Sequence, residues 1–118
     1  MVDAVERAVC DEWYSAYQAD DPDDRQQFRR LAMGRFLREI SARLDAKASR
    51  PSSTPLALAV YSAHDTSLAG ILNTLNVFDN KWPAFTAAIG LELFRDDEGG
   101  LFHRLGLRRP QHCKETKR

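Results

Sequence analysis

Apolar residues recur along this chain with different spacings in different stretches. Val2, Val5, Val9, Trp13 and Tyr17 come three or four residues apart, which puts them on one face of a helix over 2–18. "QADDPDD" (18–24) breaks that pattern. Within it, Asp21 before Pro22 suits an N-cap followed by proline at the first helical position. A longer helix is expected over 22–48. Phe28, Ala32, Phe36, Ile40 and Leu44 step by four, and Met33 and Leu37 widen the stripe. Arg29, Arg30, Arg35, Arg38, Glu39 and Arg43 fall opposite and read as solvated surface. Gly34 costs this helix about 1 kcal/mol relative to alanine; close approach of another element would account for it.

The polar linker "KASRPSSTP" (47–55) holds two prolines, and no helix crosses it. "LALAVYS" (56–62) is a continuous apolar run, the mark of an interior strand covered on both faces. From Thr66, residues Leu68, Ile71, Leu72 and Leu75 mark one face of a helix. "NVFDNKWPAF" (76–85) reads as a loop with apolar anchors. "AIGLELFR" (88–95) alternates, "DDEGG" (96–100) is a turn, and "LFHRLGL" (101–107) is a return strand. The class is α/β: two N-terminal helices, then strand, helix, strand, strand. The helical faces are expected to pack on the sheet. Three strands leave bare edges, so self-association through the exposed edge of 56–62 is expected.

At 118 residues one domain is the default. It is placed at 1–107, with 108–118 a basic tail expected to be disordered. Seventeen basic residues balance seventeen acidic ones, so charge makes no case for a nucleic-acid or membrane partner. No run of about 18 apolar residues exists to span a bilayer. The N-terminus, with Asp3 and Glu6, does not read as a secretory signal. Cys10 and Cys113 form no CxxC; two free thiols is the plainer reading, and a pairing between them is the alternative. No HExxH, no Cys/His cluster and no Gly-rich phosphate loop is found, so neither metal nor cofactor is expected.

The reactive pair is His64-Asp65, where the apolar run hands over to a helix. In open α/β sheets ligands bind at the carboxyl ends of strands. A helix N-terminus there favours an anion such as phosphate. An imidazole adds a hydrogen-bond donor, and a carboxylic acid adds a proton for a leaving group. The plainer reading of the same residues is a helix cap, from Asp65 or Thr66, beside a surface histidine.

The context extends further. "YSAHDTSLAGILNTLNVFDNKWPAF", with Ser62-x-His64-Asp65-Thr66, Leu68, Leu72, Leu75, Val77-Phe78 and Lys81-Trp82-Pro83, resembles the C-terminal motif of histidine acid phosphatases, a branch of the histidine phosphatase superfamily. Glu92-Leu93-Phe94 fits that family's following strand. Leu31-x-x-Gly34-x-x-Leu37-x-x-Ile40 is similar to its preceding helix, and would make Gly34 a matter of family architecture. The resemblance covers about residues 14 to 104. It implies part of a three-layer domain and a metal-free phosphomonoester hydrolase. In that family a histidine of an Arg-His-Gly motif attacks phosphorus and forms a phosphohistidine. By the same resemblance, His64 binds phosphate and Asp65 is the general acid.

The chain departs from the pattern in one decisive place. Its histidines read "AHD", "FHR" and "QHC", and no Arg-His-Gly occurs. His103 falls in the return strand and His112 in the basic tail, so neither is placed as a nucleophile. After Arg104 the sequence no longer resembles the family. The expectation is a C-terminal portion truncated at both ends, holding the acid half of a site and inactive alone. A non-catalytic phosphate-binding or interaction module is the alternative. Localisation stays open: the family is often secreted or lysosomal.

Overall fold

The computed structural model describes residues 2–109. Helix α1 (Val2–Tyr14) runs on into a 3-10 turn (Ser15–Gln18). Helix α2 spans Pro22–Ser49 and helix α3 Asp65–Thr74. Strands β1 (Ala88–Arg95) and β2 (Leu101–Arg108) form an antiparallel hairpin. The chain is therefore mixed α/β, as expected.

Local chemistry sets the boundaries. Asp21 caps α2: its Oδ1 accepts from the amides of Asp23 (2.8 Å) and Asp24 (3.0 Å), and Pro22 follows where no donor is needed. At the far end the Arg50 amide donates to the Ala46 carbonyl, and Lys47 Nζ donates to the carbonyls of Pro51 and Thr54. The linker thus folds back over the helix terminus. Helix α3 closes with Asn76 in the left-handed region (φ 59°). The Asn76 amide donates to the Asn73 carbonyl and the Val77 amide to that of Leu72, a Schellman arrangement. In the hairpin, Gly99 takes φ 85° and Asp96 bonds across the turn to Gly99 and Gly100.

The core is small. Cys10, Tyr14, Tyr17 and Ala69 are buried together, with Met33, Phe78 and Trp82 packed around them. Three expectations are corrected here. First, α1 turns a different face inward. Cys10 and Tyr14 are buried, while Val2, Val5, Val9 and Trp13 stay exposed; of the expected stripe only Tyr17, in the 3-10 turn, is buried. The two stripes are neighbours on one helix. The aromatic side wins because α3, Phe78 and Trp82 fill against it, with Tyr14 edge-on to Phe78 at 5.3 Å between ring centroids. Second, the helices pack on each other rather than on the sheet: α2 lies against α3 and the 3-10 turn. No residue of α2 is fully buried.

Third, residues 56–62 do not form a strand. A strand exists only through a ladder partner, and β1 and β2 pair with each other. The segment touches α2 at Tyr61, whose ring meets Phe36 edge-on at 5.1 Å and whose hydroxyl donates to Glu39. Leu58 and Val60 remain 76% and 81% exposed.

The hairpin forms where the alternation placed it. Ile89 pairs with Leu107 and Leu91 with Leu105. Arg104 bonds Glu92 at 2.8 Å and lies over the Phe94 ring. Arg109 pairs with Asp79, and Arg95 donates to the Ala48 carbonyl, tying the hairpin to the helical part. The two ion pairs, Arg104–Glu92 and Arg109–Asp79, are solvent-exposed and contribute little. No described helix is long and apolar enough to cross a membrane. The stretch read as a basic tail begins inside the fold, since Arg108 ends β2 and Arg109 reaches Asp79; residues 110–118, with His112 and Cys113, lie outside the described residues. Cys10 is a buried thiol.

Candidate functional site

His64 and Asp65 sit at the start of α3. His64, not Asp65 or Thr66, takes the N-cap position, with φ −102° and ψ 165°. Its carbonyl accepts from the amides of Ser67 and Leu68. Its imidazole caps nothing and is free to face solvent. Asp65 is the first helical residue, and its Oδ1 accepts from the Thr66 amide at 2.7 Å.

The C-terminal half of α3 holds the turn in place. Ala69, Gly70, Ile71, Leu72 and Asn73 are all buried. The Asn73 side chain donates to the Ala69 carbonyl and accepts from Gln18, so its buried amide is satisfied. Gly70 is the point of closest approach. A Cβ there would lie 2.6 Å from Met33 Cε and 2.7 Å from the Tyr17 hydroxyl. Gly34, read from sequence as that kind of position, has only its own helix's Arg30 side chain near it. Two of the long helix's arginines are likewise not solvated surface. Arg29 donates to the Tyr17 carbonyl at 2.8 Å and to Asn76, and Arg25 donates to the Ala19 carbonyl. They brace the 3-10 turn against α2 and the end of α3.

A contact that sequence reading missed lies across the turn. Trp82 Nε1 donates to Asp65 Oδ2 at 2.8 Å. That bond, the Thr66 amide and the nearby His64 hold the Asp65 carboxyl below its usual range, against a weaker opposing effect of burial. Trp82 itself rests on α1. Its backbone amide donates to Glu6 Oε1 at 3.0 Å, and its indole packs on Trp13 and Tyr14. Tyr14 is buried with no partner for its hydroxyl, and burial pushes its pKa up to about 12, with the Asp65 charge adding to the shift. Seventeen residues separate Trp82 from Asp65, so only the aromatic content of "KWPAF" marked it in the sequence, as a loop anchor.

His103 lies in β2 opposite Leu93, exposed, and none of the hydrogen bonds at the turn involves it. Among the described residues no group of three or more His, Cys, Asp or Glu side chains is placed to hold a metal. The turn therefore offers one free imidazole, one hydrogen-bonded carboxylate and the positive end of a helix dipole.

Comparison with known proteins addresses the same region. The family model for the histidine phosphatase superfamily (branch 2) matches residues 9–107. The chain is 37% identical over 94 residues to a probable acid phosphatase of Schizosaccharomyces pombe, which covers 78% of this chain and 19% of that protein. It is 36% identical over 70 residues to lysophosphatidic acid phosphatase type 6 of Bos taurus (58% of this chain, 16% of that protein). With the human protein of that name it shares 32% over 77 residues (63% and 18%). The chain thus spans less than a fifth of the length of these relatives. No solved structure matches it significantly.

Proposed function

This chain belongs to the histidine phosphatase superfamily, branch 2, and from that premise we propose that it carries the acid half of a phosphomonoester hydrolase site. His64 binds a phosphoryl oxygen beside the N-terminus of α3. Asp65 gives its proton to the leaving alcohol oxygen as the ester P–O bond breaks. The phosphoryl group passes to a histidine that these 118 residues do not provide, since none of their histidines stands in Arg-His-Gly. The observation that carries the reading is the pairing of an uncapped, exposed imidazole with a fixed carboxylate on consecutive residues at a helix start.

The electrostatics tie the proposed role of Asp65 to the substrate's own charge. A general acid must hold its proton when the ester bond breaks, yet the Trp82 and Thr66 hydrogen bonds favour the ionised form of Asp65. A phosphate dianion seated at His64 would act the other way, because a like charge nearby raises a carboxyl's pKa. Substrate binding and protonation of Asp65 would then be coupled. Substrates belong to the phosphomonoesters, of which the lysophosphatidic acid named for two relatives is one example.

Two measurements test the proposal. Inorganic phosphate titrated into isotopically labelled protein should shift the His64 ring and the first-turn amides of α3, and His64→Ala should abolish the response. No response in the unsubstituted protein would sink the phosphate reading. An aryl phosphate offered across acidic pH should not be turned over by this chain alone. Turnover that Asp65→Asn removes would instead mean that a nucleophile is present. The absent nucleophile also favours a second reading, in which His64 and α3 hold phosphate without turnover. It differs in that Asp65→Asn would leave the chain's effect unchanged even beside a complementing nucleophile. Self-association belongs to the same proposal: the unpaired backbone of 56–62, with Leu58 and Val60 outward, offers a second copy a strand to pair with.

A further inference from the structure

We propose that Trp82 is the positioning residue of Asp65, its indole N–H holding Oδ2 and so fixing the orientation of the carboxyl in the turn that carries His64. The inference rests on the reading of Asp65 as the acid and adds a residue that reading does not contain.

A carboxylate on the first turn of a helix normally rotates about its side-chain bonds and points into solvent. Asp65 is exposed and has little packing to stop this. Two donors do so instead. Oδ2 is taken by Trp82 Nε1 at 2.8 Å and Oδ1 by the Thr66 amide at 2.7 Å. The amide bond lies within the turn and any Asp at this position could make it. The indole bond is the one that tertiary structure supplies.

An orienting group must itself be held, and Trp82 is held on three sides. Its amide donates to Glu6 Oε1 on α1. Its ring meets Trp13 edge-on, with centroids 5.8 Å apart at 89°. Tyr14 lies against it at 5.7 Å. Pro83, the next residue, is buried. An indole N–H gives this arrangement a further property: it donates and cannot accept or titrate. It therefore stabilises the ionised Asp65 and stays in place when the carboxyl takes up a proton on its other oxygen. The charged or titratable groups that face Asp65 are His64 in its own turn and the Tyr14 hydroxyl from α1. Glu6 lies behind the Trp82 amide.

The test keeps the ring and removes the donor. Trp82→Phe preserves an aromatic face for Trp13 and Tyr14. The Asp65 carboxyl is followed by NMR through a pH titration in both proteins. Its midpoint should rise in the variant toward the ordinary aspartate range. An unmoved midpoint, with core resonances of Cys10 and Tyr14 intact, would overturn the proposal. Asp65→Ala approaches from the other partner and changes only an exposed side chain. It should move the Trp82 indole resonance upfield and speed its exchange with solvent; an unchanged indole signal would overturn the proposal by itself. Inorganic phosphate separates this inference from the one beneath it. If phosphate raises the Asp65 midpoint but Trp82→Phe does not, the positioning role fails and the phosphate reading stands. If Trp82→Phe raises it but phosphate does not, the contact stands and the phosphate reading fails.

Discussion

Replacing glycine by alanine should have opposite consequences in two helices of this protein. At Gly70 an added Cβ would fall 2.6 Å from Met33 Cε and 2.7 Å from the Tyr17 hydroxyl, well inside the roughly 3.5–4.0 Å of a favourable carbon contact. Met33 presents the free end of a flexible side chain and swings away. Tyr17 does not: it is buried, edge-on to Phe28 at 4.8 Å, and its carbonyl holds Arg29. Overpacking of this kind costs about 1–3 kcal/mol, while alanine in a helix interior returns about 1 kcal/mol over glycine. Gly70→Ala should therefore lie between neutral and about 2 kcal/mol destabilising. At Gly34 the nearest atom is Arg30 Cγ at 3.4 Å, an ordinary contact. Gly34→Ala should keep the whole helix gain of about 1 kcal/mol. The two variants are thus separated by about 1–3 kcal/mol, or roughly 4–8 °C in Tm for each kcal/mol in a domain of this size. Parallel thermal melts followed by circular dichroism read the difference. Equal shifts would refute the close approach of α3 to Tyr17, and with it the support for the His64-Asp65 turn.

Other measurements bear on different parts of the structure. Asp21→Ala removes the acceptor for two amides at the start of α2 and should lower stability by about 1 kcal/mol in a denaturant titration. Tyr14 should ionise near pH 12, well after an exposed phenol. Because the folded state holds that proton more tightly than the unfolded chain, its stabilising contribution is complete below about pH 10 and is lost as pH rises from there through 12. Ultraviolet phenolate absorbance and melts across that window check both statements. Glu92, held below its usual range chiefly by its hydrogen bond from Arg104, should titrate low in carboxyl NMR, and Arg104→Ala should bring it back up. Size-exclusion chromatography should show association of the chain, weakened when Leu58 and Val60 are both changed to Lys. A stable monomer at high concentration would refute pairing through 56–62.

Much of the candidate site was legible in the residues because its parts are adjacent in sequence. His64-Asp65 marks the helix start, and the bonds that make it one join residues at most four apart. The match of residues 9–107 to the histidine phosphatase superfamily agrees with the resemblance carried by that motif. Trp82 was not legible as a partner of Asp65. Nothing in the spacing of a loop tryptophan says which carboxylate its N–H will reach, and the answer depends on α1 holding the indole from behind. Gly34 and Gly70 show the same limit. Each is a glycine in a helix, and only the neighbour across the helix tells which one is needed.

What the sequence determined by itself was therefore local: the Asp21-Pro22 helix start, the extent of α2, the hairpin over 88–108 with its turn, and the place of His64-Asp65. These rest on hydrogen bonds and torsional preferences within a few residues, which an amino-acid pattern specifies directly. Tertiary structure alone decided which stripe of α1 is buried, which arginines are structural, what holds the Asp65 carboxylate, and that 56–62 has no ladder. The last case shows the reason most plainly. An apolar run has the composition of a strand, but a strand is a relation between two backbones. Among the described residues β1 and β2 have each other, and 56–62 has no ladder partner.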